Sequence, residues 1–207
     1  QRLSIYILNR LSSEKRYSTR YYRWNDVFRP YLFTNLEYIY HNSISFPDSF
    51  PKIHSILELN IWEKLNRDGK LALNFAGQHI VYYHNAPRYW IRAMDSPPFF
   101  WNERNGQQLS TQVKRISLQN HSNASSILAV MNSTLFYWWF IILSDCRHLN
   151  RREIDNFPIN LEKIESQSKV VLLQIASELM NDYAIHKKRK DATYKTTGKV
   201  SYDEYYP

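Results

Sequence analysis

Apolar and polar positions along the chain fall into stretches of two periods. Ser4 to Leu8 is a run of β-formers, and Tyr17 to Trp24 alternates aromatic with basic residues, so each predicts a strand. A proline-bearing loop, HNSISFPDSFP, follows. A helix is predicted from Pro51 to about Arg67, capped by Ser49 or Asp48, with Ile53, Ile56, Leu57, Ile61 and Leu65 on one face and Gly69 as the C-terminal stop. Strands are expected at His79 to His84, Arg88 to Met94 and Val113 to Gln119. A long helix from Ala124 to Ser144, capped by Ser122 or Asn123, is apolar around most of its circumference and should be largely buried. The polar run DCRHLNRREIDNFPI reads as an extended connection. A last helix spans Ser168 to Lys188, with Val171, Leu172, Ile175, Leu179 and Tyr183 on one stripe and a basic end that suits its dipole.

These elements predict an α+β fold: a curved, mostly antiparallel or mixed sheet packed by helices, with a C-terminal helical arm. The expected organisation is a domain over residues 1–165, a C-terminal helix over 166–190 and a surface tail over 191–207, which shows no periodicity. No internal repeat is present. The longest apolar run, near Leu135 to Leu143, falls short of the roughly 20 residues that span a bilayer. No secretory leader is visible and no membrane association is expected.

Composition narrows the chemistry. The 207 residues include only four glycines, Gly69, Gly77, Gly106 and Gly198, whose spacing makes neither a G-x-G-x-x-G turn nor a G-x-x-x-x-G-K-[ST] loop. That excludes a nucleotide site built on glycine-rich backbone. One cysteine, Cys146, excludes a disulfide framework and a multi-cysteine zinc site, and fits a reducing, cytoplasmic setting. The seven histidines form no H-E-x-x-H pair, and the carboxylates are scattered. No metal site and no catalytic residue is therefore assigned. Ser96-Pro97-Pro98-Phe99 is similar to the [DNS]-P-P-[YF] signature of amino-group methyltransferases. It reads better as a double-proline turn, because no methyl-donor loop precedes it.

Charge and aromatic content point elsewhere. Lys plus Arg number 27 against 19 Asp plus Glu, a net of +8, and 15% of residues are aromatic. Four stretches interleave the two types: RYSTRYYRWNDVFR, YYHNAPRYWIR, WNERNGQQLSTQVKR and CRHLNRRE. Lys and Arg neutralise phosphates, and Arg, Asn and Gln pair with guanine and adenine edges. The candidate DNA-contacting residues are Arg20, Arg23, Arg88, Arg92, Asn102, Arg104, Lys114 and Arg115, with His84 and Asn85 at a loop tip and Arg147 and Asn150 in the last stretch. For Arg147 and Asn150 a scaffold role in the polar connection is favoured over direct DNA contact, and Trp138 and Trp139 suit the core.

The stretch ILAVMNSTLFYWWFIILSDCRHLNRREIDNFPI resembles a family pattern. It resembles a helix ending L-N-S-x-L-F-x-W-W, with Met131 at the first position, followed by S-D-x-R-x-L-N-x-x-E-I-x-x-F-P-[IL]. This is similar to the TaqI-like C-terminal specificity domains of large bacterial adenine methyltransferases, found in type IIG restriction-modification enzymes. Asn132, Ser133, Leu135, Phe136, Trp138 and Trp139 carry the first part. Ser144, Asp145, Arg147, Leu149, Asn150, Glu153, Ile154, Phe157 and Pro158 carry the second. STRYYRWNDVFRPYLFTNLEY, YYHNAPRYWIRAMDSPPFFWNE and KVSYDEYYP extend the likeness over nearly the whole chain.

The resemblance implies a fragment of a larger protein, with an upstream catalytic domain that binds S-adenosylmethionine and methylates adenine N6. The fragment would hold no cofactor of its own. Its partners would be double-stranded DNA and the methyltransferase domain of the same polypeptide, and its task would be sequence choice. The alternatives are a protein-interaction or spacer module without DNA contact, a single-strand or RNA binder, and a free-standing enzyme resting on Ser96 to Phe99.

Overall fold

A computed structural model describes residues 16–22, 24–41, 46, 49–67, 77–87 and 89–206. The predicted strand at Ser4 to Leu8 and the stop at Gly69 lie outside them. The chain divides into two compact units, Gln1–Lys64 and Leu65–Pro207, rather than at residue 165.

In the first unit, β1 (Arg16–Ser18) pairs antiparallel with β2 (Ile39–His41), bringing Tyr17 opposite Tyr40. The strand is shorter than the aromatic-basic alternation suggests. A 3-10 turn at Asp26–Tyr31, with Pro30 inside it, occupies the connection. Ser18 Oγ donates to Ile53 O at 2.7 Å and lies 3.0 Å from His41 Nε2. Burial, then the nearby Arg16 cation, lowers the pKa of His41. Helix α1 (Ile56–Asn66) starts later than Pro51, where Ser55 Oγ accepts from Glu58 N and Glu58 Oε2 accepts from His54 N. Its expected apolar face is only partly used. Ile53 is fully buried ahead of the helix, Ile56 and Leu57 are 67% and 69% exposed, and the buried helical residue is Trp62, edge-on to Phe46. The bulkiest ring, not the most numerous aliphatics, sets the inward side.

In the second unit, β3 (His79–His84) lies between β4 (Ala93–Met94) and β7 (Val113–Leu118), all antiparallel. Among the described residues of the predicted Arg88 to Met94 strand, Ala93 and Met94 form β4, and Arg92 O accepts from His84 N at 3.1 Å. Gly77 is needed at the approach to β3, because a Cβ there would sit 2.0 Å from Leu118 O. Helix α2 (His121–Met131) packs over this sheet through Ala124, Ile127, Leu128 and Met131.

The single long helix expected from Ala124 to Ser144 is instead α2 followed by α3 (Thr134–Leu143), bent by 67°. Asn132 and Ser133 make the break. Asn132 Nδ2 donates to Ala93 O, its Oδ1 accepts from Ala93 N, and Ser133 adopts extended backbone with its Oγ accepting from Phe136 N. The cap of α2 is Asn120, whose Oδ1 accepts from Asn123 N at 2.8 Å. Among the described residues, no single helix is long and apolar enough to cross a membrane.

The polar connection contains a short helix, α4 (Arg151–Asp155), and α5 (Ser166–His186) then lies along α2. Its inward side is Ala176 and Tyr183, flanked by half-buried Leu172 and Leu179, while Val171 and Ile175 of the predicted stripe are exposed.

The expected surface tail is a hairpin. Strands β8 (Lys188–Tyr194) and β9 (Gly198–Glu204) pair throughout, and β9 also pairs with β5 (Phe100–Asn102), which pairs with β6 (Gly106–Gln107). Charge pairing replaces hydrophobic alternation here: Asp203 is buried and accepts from Arg189 Nε at 2.6 Å, with Lys187 Nζ at 3.2 Å. Gly198 turns the hairpin at φ +71°. The fold is α+β, with all strand pairs among the described residues antiparallel.

Candidate nucleic-acid interface

A polar groove of about 690 Å³ opens in the second unit where β3 and β7 meet the start of α4. Tyr83, Asn85, Lys114, Arg115, Asn150 and Arg151 line it, with Leu109, Val113 and Leu149. Four of the sequence-predicted residues, Asn85, Lys114, Arg115 and Asn150, therefore converge. Lys114 and Arg115 stand exposed on β7, opposite Tyr83 and Tyr82 of β3, and have no ion-pair partner among the described residues. Arg151 is added by the structure. It stood in the basic run but was not singled out, because its place beside β7 depends on a long-range fold. Its Nε lies 2.6 Å from Asp155 Oδ1.

The groove is held by main-chain and carboxylate contacts. Asn85 N donates to Gln112 O and Leu149 N donates to Asn85 O, both at 2.8 Å, tying the β3 loop to the segments on either side. His84 Nδ1 accepts from Ala86 N at 3.3 Å. Asp145 Oδ1 accepts from Arg147 N and His148 N at 2.8 Å. Burial pushes its pKa up, but those bonds and the His148 ring hold the carboxyl below its usual range. Glu153 is fully buried; its Oε2 accepts from Asn150 N at 2.9 Å and its Oε1 from Arg152 at 2.8 Å. Burial raises the pKa of Tyr83 beneath the groove, which suits a neutral phenol there.

The remaining predicted residues are dispersed. Asn102 is buried, its Oδ1 accepting from Asn105 N at 2.7 Å, so its amide shapes the β5–β6 turn and is not open to a duplex. Arg92 is half-buried, with its guanidinium 4.7 Å from the Tyr205 ring, and burial lowers its pKa. Arg104 is exposed on the β5–β6 turn and donates to Thr196 O at 3.1 Å. Arg147 is exposed in the connection before α4. Arg20 belongs to the first unit, 5.3 Å from the Tyr22 ring. Arg23 and Arg88 lie outside the described residues.

The double-proline turn connects β4 to β5, and the Phe99 ring lies 3.5 Å beneath the Arg189 guanidinium. That contact joins the turn to the final hairpin. No group of three or more His, Cys, Asp or Glu side chains suited to a metal ion occurs among the described residues. No family model, curated protein or solved structure matches the chain.

Proposed function

We propose that this chain recognises double-stranded DNA by sequence, on behalf of an S-adenosylmethionine-dependent adenine-N6 methyltransferase domain in the same polypeptide. The observation that carries this reading is the groove, where Lys114 and Arg115 present unneutralised charge beside the Asn85 amide and Arg151. Exposed cations draw the phosphate backbone, and amides and guanidinium groups discriminate base edges. Methyl transfer belongs, in this reading, to the upstream catalytic domain, and the setting is the bacterial cytoplasm. The likeness in ILAVMNSTLFYWWF and SDCRHLNRREIDNFPI supports it, with those motif residues acting as the frame of the groove.

Fluorescence anisotropy of a labelled random-sequence duplex across a salt series tests the reading. Affinity should fall steeply with salt, and Lys114→Ala or Arg115→Ala should weaken all sequences alike and flatten the log–log slope by about one each. Absence of binding at low salt sinks it.

The alternative, a protein-interaction or spacer module, draws on a second groove. This one is apolar, about 530 Å³, and lined by Val130, Leu135, Pro158, Ile159, Leu172 and Ile175 among others. Salt-insensitive association would favour that alternative.

A further inference from the structure

We infer that Asn85 is a base-reading residue of the polar groove and that its counterpart is the major-groove edge of an adenine. The inference rests on the DNA-recognition reading above and goes beyond it, because it separates the residue that chooses sequence from those that supply affinity.

The other polar groups of the groove are cations, the Tyr83 phenol and an amide already engaged, which leaves Asn85 as its uncommitted amide. Lys114 and Arg115 are exposed cations with no ion-pair partner among the described residues, the state suited to phosphates. Arg151 is held by Asp155. Asn150 donates through Nδ2 to His148 O at 3.3 Å and through its main-chain N–H to Glu153. Asn85 differs from all of them. Its main chain is tied on both sides, to Gln112 O and to Leu149 N, while no hydrogen bond engages its side chain among the described residues. The backbone that carries the amide is fixed and the amide itself is uncommitted, so little ordering remains to be done on binding.

The chemistry of a carboxamide then selects the counterpart. It offers an acceptor oxygen beside a donor NH₂. A phosphate only accepts, so it would use half of that capacity. Adenine presents N7 as acceptor and N6 as donor at matching separation, and the two pair bidentately. Lys114 and Arg115, on the neighbouring strand, provide sequence-independent attraction that operates whether or not the amide finds its base.

The test is selection from a randomised duplex pool with the full chain and its Asn85→Ala, Asn85→Asp and Lys114→Ala variants, followed by anisotropy on the enriched duplex. Asn85→Asp keeps the side-chain shape, so it remains informative if the alanine variant folds poorly. The expected result is an enriched sequence with one A·T position at which Asn85→Ala loses roughly 5- to 150-fold discrimination. Asn85→Asp, which can only accept, should turn that position toward cytosine. Lys114→Ala should retain the preference at lower affinity. An enriched sequence unchanged by both Asn85 variants overturns the assignment, as does wild-type binding without any preference. No duplex binding by the wild-type chain overturns the DNA reading itself and this inference with it.

Discussion

Asp145, one of the residues that carry the family likeness, acts as a local clamp. It is half-exposed, yet it accepts from two consecutive main-chain N–H groups and faces the His148 ring at 3.4 Å. Its folded pKa lies below the ordinary carboxylate value despite the opposing effect of burial. The stability this contributes is present above the unfolded pKa, near about 4, and is lost as pH falls through the lower folded value. Asp145→Asn should therefore melt below wild type at neutral pH, with the gap narrowing as the pH is taken to about 3 and below. A gap that stayed constant with pH would show that the carboxylate charge plays no part. None of this was legible in the sequence, where the carboxylates of DCRHLNRREIDNFPI stand among several basic residues without a distinguishing period. The structure gives Glu153 to Arg152 and Asn150, and Arg151 to Asp155.

Elements whose hydrophobic period is uninterrupted were legible: β3 is His79–His84 as expected, β7 stops one residue short of expectation, and α5 is displaced by two residues. Elements made by polar contacts were not. Asn132 and Ser133 looked like tolerable interruptions of one long helix, and only the distant β4 backbone explains the bend. Asn132 clamps Ala93 through both of its amide atoms, and its Oδ1 also accepts from Tyr183 Oη at 3.0 Å, linking α2, β4 and α5. Burial raises the Tyr183 pKa, keeping the phenol protonated as that donor. Asn132→Ala should cost about 2–3 kcal/mol, since it leaves Ala93 N and Tyr183 Oη unpaired near the core, whereas Tyr183→Phe should cost about 1 kcal/mol. Urea midpoints of the two variants and of the double variant check this; additive losses would mean that the shared oxygen does not couple them. The β8–β9 hairpin escaped notice for a related reason. Its strands are joined by Arg189–Asp203 and Lys190–Glu204 pairs rather than by an apolar stripe.

At the level of the whole molecule, a net charge of +8 gives a sound first pointer to an anionic partner but does not say where that partner would sit. The fold brings four of the twelve candidate side chains into one groove, because β7 pairs with β3 and the start of α4 is tied to the Asn85 loop. Sequence spacing could not have selected these four, since they come from three separate segments spread over Asn85 to Asn150. The same geometry places one carboxylate, Asp155, against a groove cation, at 2.6 Å from Arg151 Nε. An exposed pair of this kind contributes little to stability, so its loss should leave the melting temperature nearly unchanged. Its effect on an anionic ligand should be larger, because Asp155 both repels phosphate and holds Arg151 away from it. Asp155→Asn is therefore expected to tighten random-duplex binding severalfold at low salt and to steepen the salt slope by up to about one, as Arg151 gains a phosphate. The same substitution should leave sequence preference unchanged, since it alters no base-reading group. Weaker binding in Asp155→Asn, at an unchanged melting temperature, would mean that Asp155 orients Arg151 toward the ligand rather than withholding it. The groove would then be an organised two-residue contact instead of a partly neutralised cationic surface.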